Sequence, residues 1–223
     1  GNTMSFSQSV TVDKRQNTSS MYFLLTAAYN SNLPQYNKPA TYSIVDMTLD
    51  GGLGDIVAGQ KSIPIPYSEK AFSAITGIRH ANNRDAWIVF RLKDADSNYF
   101  SSYLLSAGGI SNNPVLSFSK SSVPAFAFDN SPATRELKIS PDGSKLVCVY
   151  LWDTLEICNF NIQTGQVLTR FLIRPSDKGQ PVNAIGSVEF STDSKILYVA
   201  GISSLSGHFS VYQYDLTSAD SAL

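Results

Sequence analysis

Residues Arg135–Val167 read RELKISPDGSKLVCVYLWDTLEICNFNIQTGQV, and this stretch decides the fold. Ser140-Pro141-Asp142-Gly143 has the composition of a type I turn. Proline presets φ at the first central position, aspartate bonds its own backbone, and glycine accepts the φ that leaves the turn. Lys145–Leu151 is then almost continuously apolar, the pattern of a strand covered on both faces. Trp152-Asp153-Thr154 turns the chain, Leu155–Ile162 returns it, and Thr164-Gly165 breaks it again before Gln166–Arg174. The stretch is therefore a run of short antiparallel strands joined by tight turns.

Working outward, the same unit recurs. The first copy places strands at Ser9–Asp13, Met21–Ala27, Thr41–Thr48 and Lys61–Pro64, and the second at Ala74–Arg79, Ala86–Leu92, Tyr99–Ser106 and Pro114–Ser119. The third is Glu136–Ser140, Lys145–Leu151, Leu155–Ile162 and Gln166–Arg174; the fourth has Ser187–Ser191, Ile196–Ile202 and His208–Leu216, with no fourth strand. Leu137-Lys138-Ile139-Ser140-Pro141-Asp142 overlays Val188-Glu189-Phe190-Ser191-Thr192-Asp193 at a displacement of 51 residues. That lies close to the period of about 40–50 residues for propeller blades. The expected fold is all-β, a β-propeller of four-stranded antiparallel blades. About four blades are present, over 9–65, 74–120, 135–175 and 186–217, with 218–223 a tail. A β-sandwich is the structural alternative, since it too has frequent turns.

Composition agrees and removes several functions. Of 223 residues, 43% are hydrophobic and 16% charged, with 11 Tyr and 12 Phe, a balance that favours strands. A net charge of −1 with no basic block argues against nucleic-acid binding. No apolar run approaches the roughly 18 residues of a membrane helix, so membrane insertion is not expected. Gly1-Asn2-Thr3-Met4 does not open a signal peptide.

Catalytic and metal motifs are sparse. No Gly-x-Ser-x-Gly elbow supports a nucleophile. His80 and His208 are far apart and read as polar residues at strand ends. Gly51-Gly52-Leu53-Gly54-Asp55 lacks the Lys-Ser/Thr and helix of a phosphate loop and reads as a turn between strands c and d. Asp46, Asp50 and Asp55 could crowd a cation, but their spacing fits no EF-hand, and solvated turn carboxylates are the better reading. No metal or cofactor is expected. Trp87 reads as an aromatic of the core or of a blade interface.

In such a meander the b–c and d–a loops emerge on one side. Tyr29–Lys38, Lys93–Ser97, Ser121–Ala133, Trp152 and Pro175–Gln180 would gather there, and Tyr29, Tyr36 and Trp152 are the candidate ligand platforms. A hairpin centred on Asp153 sets Cys148 opposite Cys158, within disulfide reach. Two buried thiols are the favoured reading and a cross-strand disulfide the alternative. Four blades suggest either an open arc that self-associates through its terminal blades or a small closed ring; the arc is preferred.

Tyr42-Ser43-Ile44-Val45-Asp46-Met47, Gly51-Gly52, Gly54-Asp55, Glu69-Lys70, Asp85 with Trp87, Asn98 with Phe100, Pro114-Val115, the LKISPDG run and Thr164-Gly165 add a family likeness. In order and spacing they resemble the WD40-like propeller of large secreted bacterial surface proteins. Those proteins often continue into PKD-type modules and a C-terminal sorting domain, and many are described as gliding-motility-associated. The likeness spans Ser7-Gln8-Ser9 to Gln213-Tyr214-Asp215-Leu216, and this chain resembles an internal portion of that propeller. Arg135-Glu136 stands where the family usually has a glycine. The resemblance implies an extracellular or cell-surface, non-enzymatic role in adhesion or scaffolding, with protein or glycan as partner. The alternative is an accessory propeller of a hydrolase, such as a peptidase, whose catalytic domain is not in these residues. A quinone-dependent dehydrogenase propeller would want adjacent half-cystines, which this chain lacks.

Overall fold

A computed structural model of the chain describes residues 10–14, 20–27, 38–69, 71–93, 98–118, 134–150, 154–175, 182–203 and 205–217. They form four consecutive antiparallel sheets. The first contains β1 (Val10–Lys14), β2 (Met21–Thr26) and β3 (Thr41–Asp46), with the short β4 (Asp55–Ile56) and β5 (Ile63–Pro64) both paired to β3. The second runs β6 (Ala71–Arg79), β7 (Ala86–Lys93), β8 (Asn98–Ser106) and β10 (Val115–Phe118), with β9 (Gly109–Ile110) also on β8. The third is β11 (Thr134–Ile139), β12 (Lys145–Tyr150), β13 (Leu155–Phe160) and β14 (Val167–Ile173). The fourth is β15 (Val182–Phe190), β16 (Ile196–Ser203) and β17 (Phe209–Asp215).

The first strands of neighbouring sheets touch in sequence order, β1 on β6, β6 on β11 and β11 on β15. Each sheet therefore turns its first strand inward and meets the next sheet face to face, the arrangement of propeller blades. Three apolar clusters fill the joints. Phe23, Leu25 and Ile44 meet Ile75, Ile88 and Phe90 between blades 1 and 2. Trp87, Val89 and Phe100 meet Leu137, Leu146 and Phe160 between blades 2 and 3. Val147, Val149 and Ile157 meet Val188, Leu197 and Val199 between blades 3 and 4. Each such side chain taken from water contributes about 1.5–3 kcal/mol.

The consequence is plainest in β12. From Leu146 to Tyr150 every residue is buried, because the odd positions pack on blade 4 and the even ones on blade 2. The repeat noted in the sequence is also a repeat of register. Lys138 pairs with Val147 in blade 3, and Glu189 with Tyr198 in blade 4, both members displaced by 51 residues.

One hairpin departs from expectation. Tyr150 N–H donates to Thr154 O at 2.9 Å and Val149 pairs with Leu155, so the register is centred on position 152 rather than 153. Cys148 consequently faces Glu156, and Cys158 faces Leu146. The two thiols are buried and not joined by a disulfide. The expected register was wrong by two residues on the partner strand; the buried-thiol reading stands.

That register creates a charged cluster inside the joint between blades 2 and 3. Arg91 of β7 is fully buried, with its guanidinium carbon 4.3 Å from the Tyr150 ring centroid and 5.8 Å from that of Phe100. The Tyr150 hydroxyl donates to Glu156 Oε2, and Glu156 is itself fully buried. Burial works against the Arg91 charge, but Tyr150, Cys148, Glu156 and Cys158 outweigh it, so its pKa lies above its ordinary value. Burial pushes the Tyr150 phenol well up, keeping it a donor. Removing one member of a buried charged set strands the other. Glu156→Leu or Arg91→Met alone should therefore lower stability by about 3–5 kcal/mol. The double variant should cost markedly less than the two summed, as read by urea unfolding; simple additivity would show that the two do not interact.

Candidate functional site

The turns that close the blades on one side are built by short polar side chains. In blade 3, Ser140 Oγ donates to Asp142 Oδ1 at 2.6 Å and accepts Lys145 N–H at 2.9 Å. Blade 4 repeats this, with Ser191 Oγ donating to Asp193 Oδ1 at 2.7 Å and accepting Ile196 N–H at 2.9 Å. Partial burial opposes the Asp142 charge, yet bonds from Ser140, Ser144 and Ser194 hold its carboxyl below the ordinary 3.8. Asp142 N–H in turn donates to Ser194 Oγ at 3.0 Å, tying one blade's turn to the next.

Between blades 2 and 3 the clasp is aromatic. Trp87 Nε1 donates to Ile162 O at 2.9 Å, and Ala81 N–H donates to the same carbonyl at 3.1 Å. His80 accepts Asn82 N–H on Nδ1, which leaves Nε2 to donate to Gln163 O at 3.1 Å. Its ring lies 5.5 Å from that of Trp87. Trp87 is thus an interface aromatic, and His80 a strand-end residue that fastens the neighbouring turn. Gly165, at φ +73°, passes beneath the indole, where an added Cβ would come within 2.8 Å of the ring.

These clasps leave a cleft of about 430 Å³ on the side of the a–b and c–d turns. Asn159, Asn161, Gln163 and Gln166 line it, together with Ala81 and Leu168. Asn161 Oδ1 accepts Gln163 N–H at 2.9 Å and Thr164 N–H at 3.2 Å, so this amide shapes the turn itself. Asn159 Oδ1 accepts Lys145 Nζ at 3.2 Å. Gln163 and Gln166 are exposed, and Leu168 is 63% exposed at the rim.

Tyr29, Tyr36 and Trp152, the ligand candidates read from the sequence, lie outside the described residues, as do Ser121–Ala133 and 176–180. The cleft opens at the blade end opposite to the described residues Ala27, Lys38, Tyr150 and Thr154. Sequence reasoning passed over its residues because it sought aromatics. The amide-rich run Asn159–Gln166 was the signal available. Asp46, Asp50 and Asp55 occupy the c–d turn of blade 1, where Asp46 Oδ1 accepts Thr48 N–H at 2.9 Å and Asp55 Oδ1 accepts Ile56 N–H at 2.7 Å. Among the described residues no group of three or more His, Cys, Asp or Glu is placed to hold a metal.

No protein-family model matches the chain, and no curated protein does. Solved structures of similar shape include the dihydro-heme d1 dehydrogenase NirN in complex with DHE, at 16% identity and a TM-score of 0.44, over 89% of this chain and 34% of that one. The periplasmic gluconolactonase PpgL of Pseudomonas aeruginosa follows at 11% and 0.41, over 92% and 56%. Drosophila Semaphorin 2a follows at 10% and 0.39, over 95% and 44%. These are β-propeller-type folds. The chain spans between about a third and just over half of their lengths.

Gly143 tests the turn geometry that frames the cleft. It has φ +73°, and an added Cβ would run into Ile162 Cγ2. Ser194 takes the same place in blade 4 at φ +63°, so a serine can adopt this backbone at the cost of some strain. Gly143→Ser should destabilise by about 1–3 kcal/mol through overpacking together with the positive φ, and Ile162→Ala should recover the packing part of that loss in thermal unfolding. A neutral Gly143→Ser would disprove the contact.

Proposed function

We propose that the chain is a non-catalytic recognition module of a secreted or cell-surface bacterial protein, and that the amide-lined cleft binds neutral glycan. The observation that carries this reading is the chemistry of the lining. Carboxamides both donate and accept hydrogen bonds, as sugar hydroxyls do. The exposed Leu168 supplies an apolar edge for the faces of sugar rings. The carboxyl in the cleft, Asp142, is engaged by Ser140 and Ser144 in holding the turn, which suits a scaffold role rather than proton transfer. The likeness to the WD40-like propeller of secreted surface proteins supports the extracellular placement and the adhesive role. An extended peptide offers similar hydrogen-bonding groups, so the experiment must separate the two.

A glycan array followed by calorimetry on the best ligand tests the proposal. Gln163→Ala/Gln166→Ala should weaken binding by about fivefold to 150-fold, as two neutral hydrogen bonds of about 0.5–1.5 kcal/mol each imply. Trp152→Ala should leave it unchanged. An array with no hits alongside a peptide-library hit would exclude glycan. Loss of binding in Trp152→Ala alone would move the site to the opposite loops.

A further inference from the structure

The four carboxamides of the cleft are not equivalent. Asn159 Oδ1 accepts Lys145 Nζ at 3.2 Å, and Asn161 Oδ1 accepts the Gln163 and Thr164 N–H groups at 2.9 and 3.2 Å. An ammonium and a backbone N–H can only donate, so both amides must turn their oxygens toward the protein. Each then has its Nδ2 group, a pure donor, left for a ligand. Among the described residues nothing accepts from either Nδ2. The exposed Gln163 and Gln166 side chains carry no such tie among the described residues and can present either end.

Beside those donors the wall is apolar. Lys145, Asn159 and Leu168 pair across β12, β13 and β14, so their side chains form a row on one face of blade 3. Side chains directly opposite on neighbouring strands lie about 5 Å apart, which sets the Asn159 donor next to the exposed Leu168. Ile162, the residue after Asn161, lines the cleft as well. Charge is balanced here. Lys145 stands behind Asn159, while the Asp142 carboxylate lines the cleft from the a–b turn and opposes an anionic ligand. The group that suits this wall is a neutral acceptor carrying a small apolar end.

We propose that the cleft selects sugars bearing a 2-acetamido group, with the acetamido carbonyl on the Nδ2 groups of Asn159 and Asn161 and its methyl on Leu168. This rests on the cleft being the glycan site and names the class of sugar it takes. A carbonyl oxygen only accepts, so two fixed donors satisfy it fully, whereas a hydroxyl at the same place would leave its own O–H to find another partner. The methyl also covers Leu168 surface that a hydroxyl would leave wet.

Calorimetry on matched probes is the test. They are oligosaccharides of N-acetylglucosamine and of N-acetylgalactosamine, each beside the glucose or galactose oligomer of the same linkage. In at least one pair the acetamido member should bind about tenfold more tightly or better, from one matched hydrogen bond and one covered methyl. Asn159→Asp and Asn161→Asp keep the oxygen that the internal donors need and lose the Nδ2 donor, so the fold should survive, as circular dichroism would verify. Each should weaken acetamido binding by about tenfold and change binding of the hydroxyl probe by no more than about twofold. Leu168→Ser should narrow the preference too. Equal binding within each pair, weakened by Gln163→Ala/Gln166→Ala, overturns the selection and leaves the glycan site standing. A preference that survives both asparagine variants also overturns it. Binding of no probe overturns it as well, and a peptide hit in that case removes the glycan reading with it.

Discussion

A sheet that is apolar on both faces cannot stand in water by itself, and this constraint organises the molecule. Blade 3 is the extreme case. Its central strands β12 and β13 are buried almost throughout, so they exist as strands only while blades 2 and 4 lie against them. Specific polar bonds then fix how each pair of faces sits. Tyr103 donates to Pro66 O at 2.7 Å between blades 1 and 2, and Val167 N–H donates to Ser117 Oγ at 2.9 Å between blades 2 and 3. Val188 N–H donates to Glu136 Oε2 at 2.9 Å between blades 3 and 4, while Lys138 bridges Glu136 and Glu189. Burial supplies most of the driving force, and these bonds choose one alignment among the several that smooth apolar faces would allow.

Much of this architecture could be read from the chain. Turn residues marked strand ends to within a few positions, because Pro, Gly and Asp act locally. The identity of double-faced strands was also legible, since Lys145–Leu151 breaks the alternation that a half-exposed strand would show. Other features needed the fold. A slip in one loop centre moved Cys148 from facing Cys158 to facing Glu156, because register depends on how three connecting residues are spent. The burial of Arg91 was invisible for a related reason. A lone arginine in a strand looks like a solvated edge residue until the next blade brings Tyr150 and Glu156 over it. Glu136, where the resembling family has glycine, proves to be a pin between blades rather than a surface charge.

The cleft follows from the same construction. Asn161, Gln163 and Gln166 come from the c–d turn of blade 3 and Asp142–Ser144 from its a–b turn, and both turns are held by bonds that also join neighbouring blades. A ligand at such a place would meet turns held on a rigid frame, which limits the entropy lost on binding. Leu168 and the glutamines carry no aromatic signal, so a search for stacking residues alone passes over them.

The central claim is that blade 3 is held by its neighbours and opens only with them. Native-state hydrogen exchange resolved by residue tests it most directly. The amides of β7, β12 and β13 should be the slowest in the molecule and share one opening free energy, equal to that of global unfolding. If β12 and β13 instead exchange as fast as the exposed turn residues Thr192 and Asp193, or open separately from β7, the blades are independent units and the account is wrong.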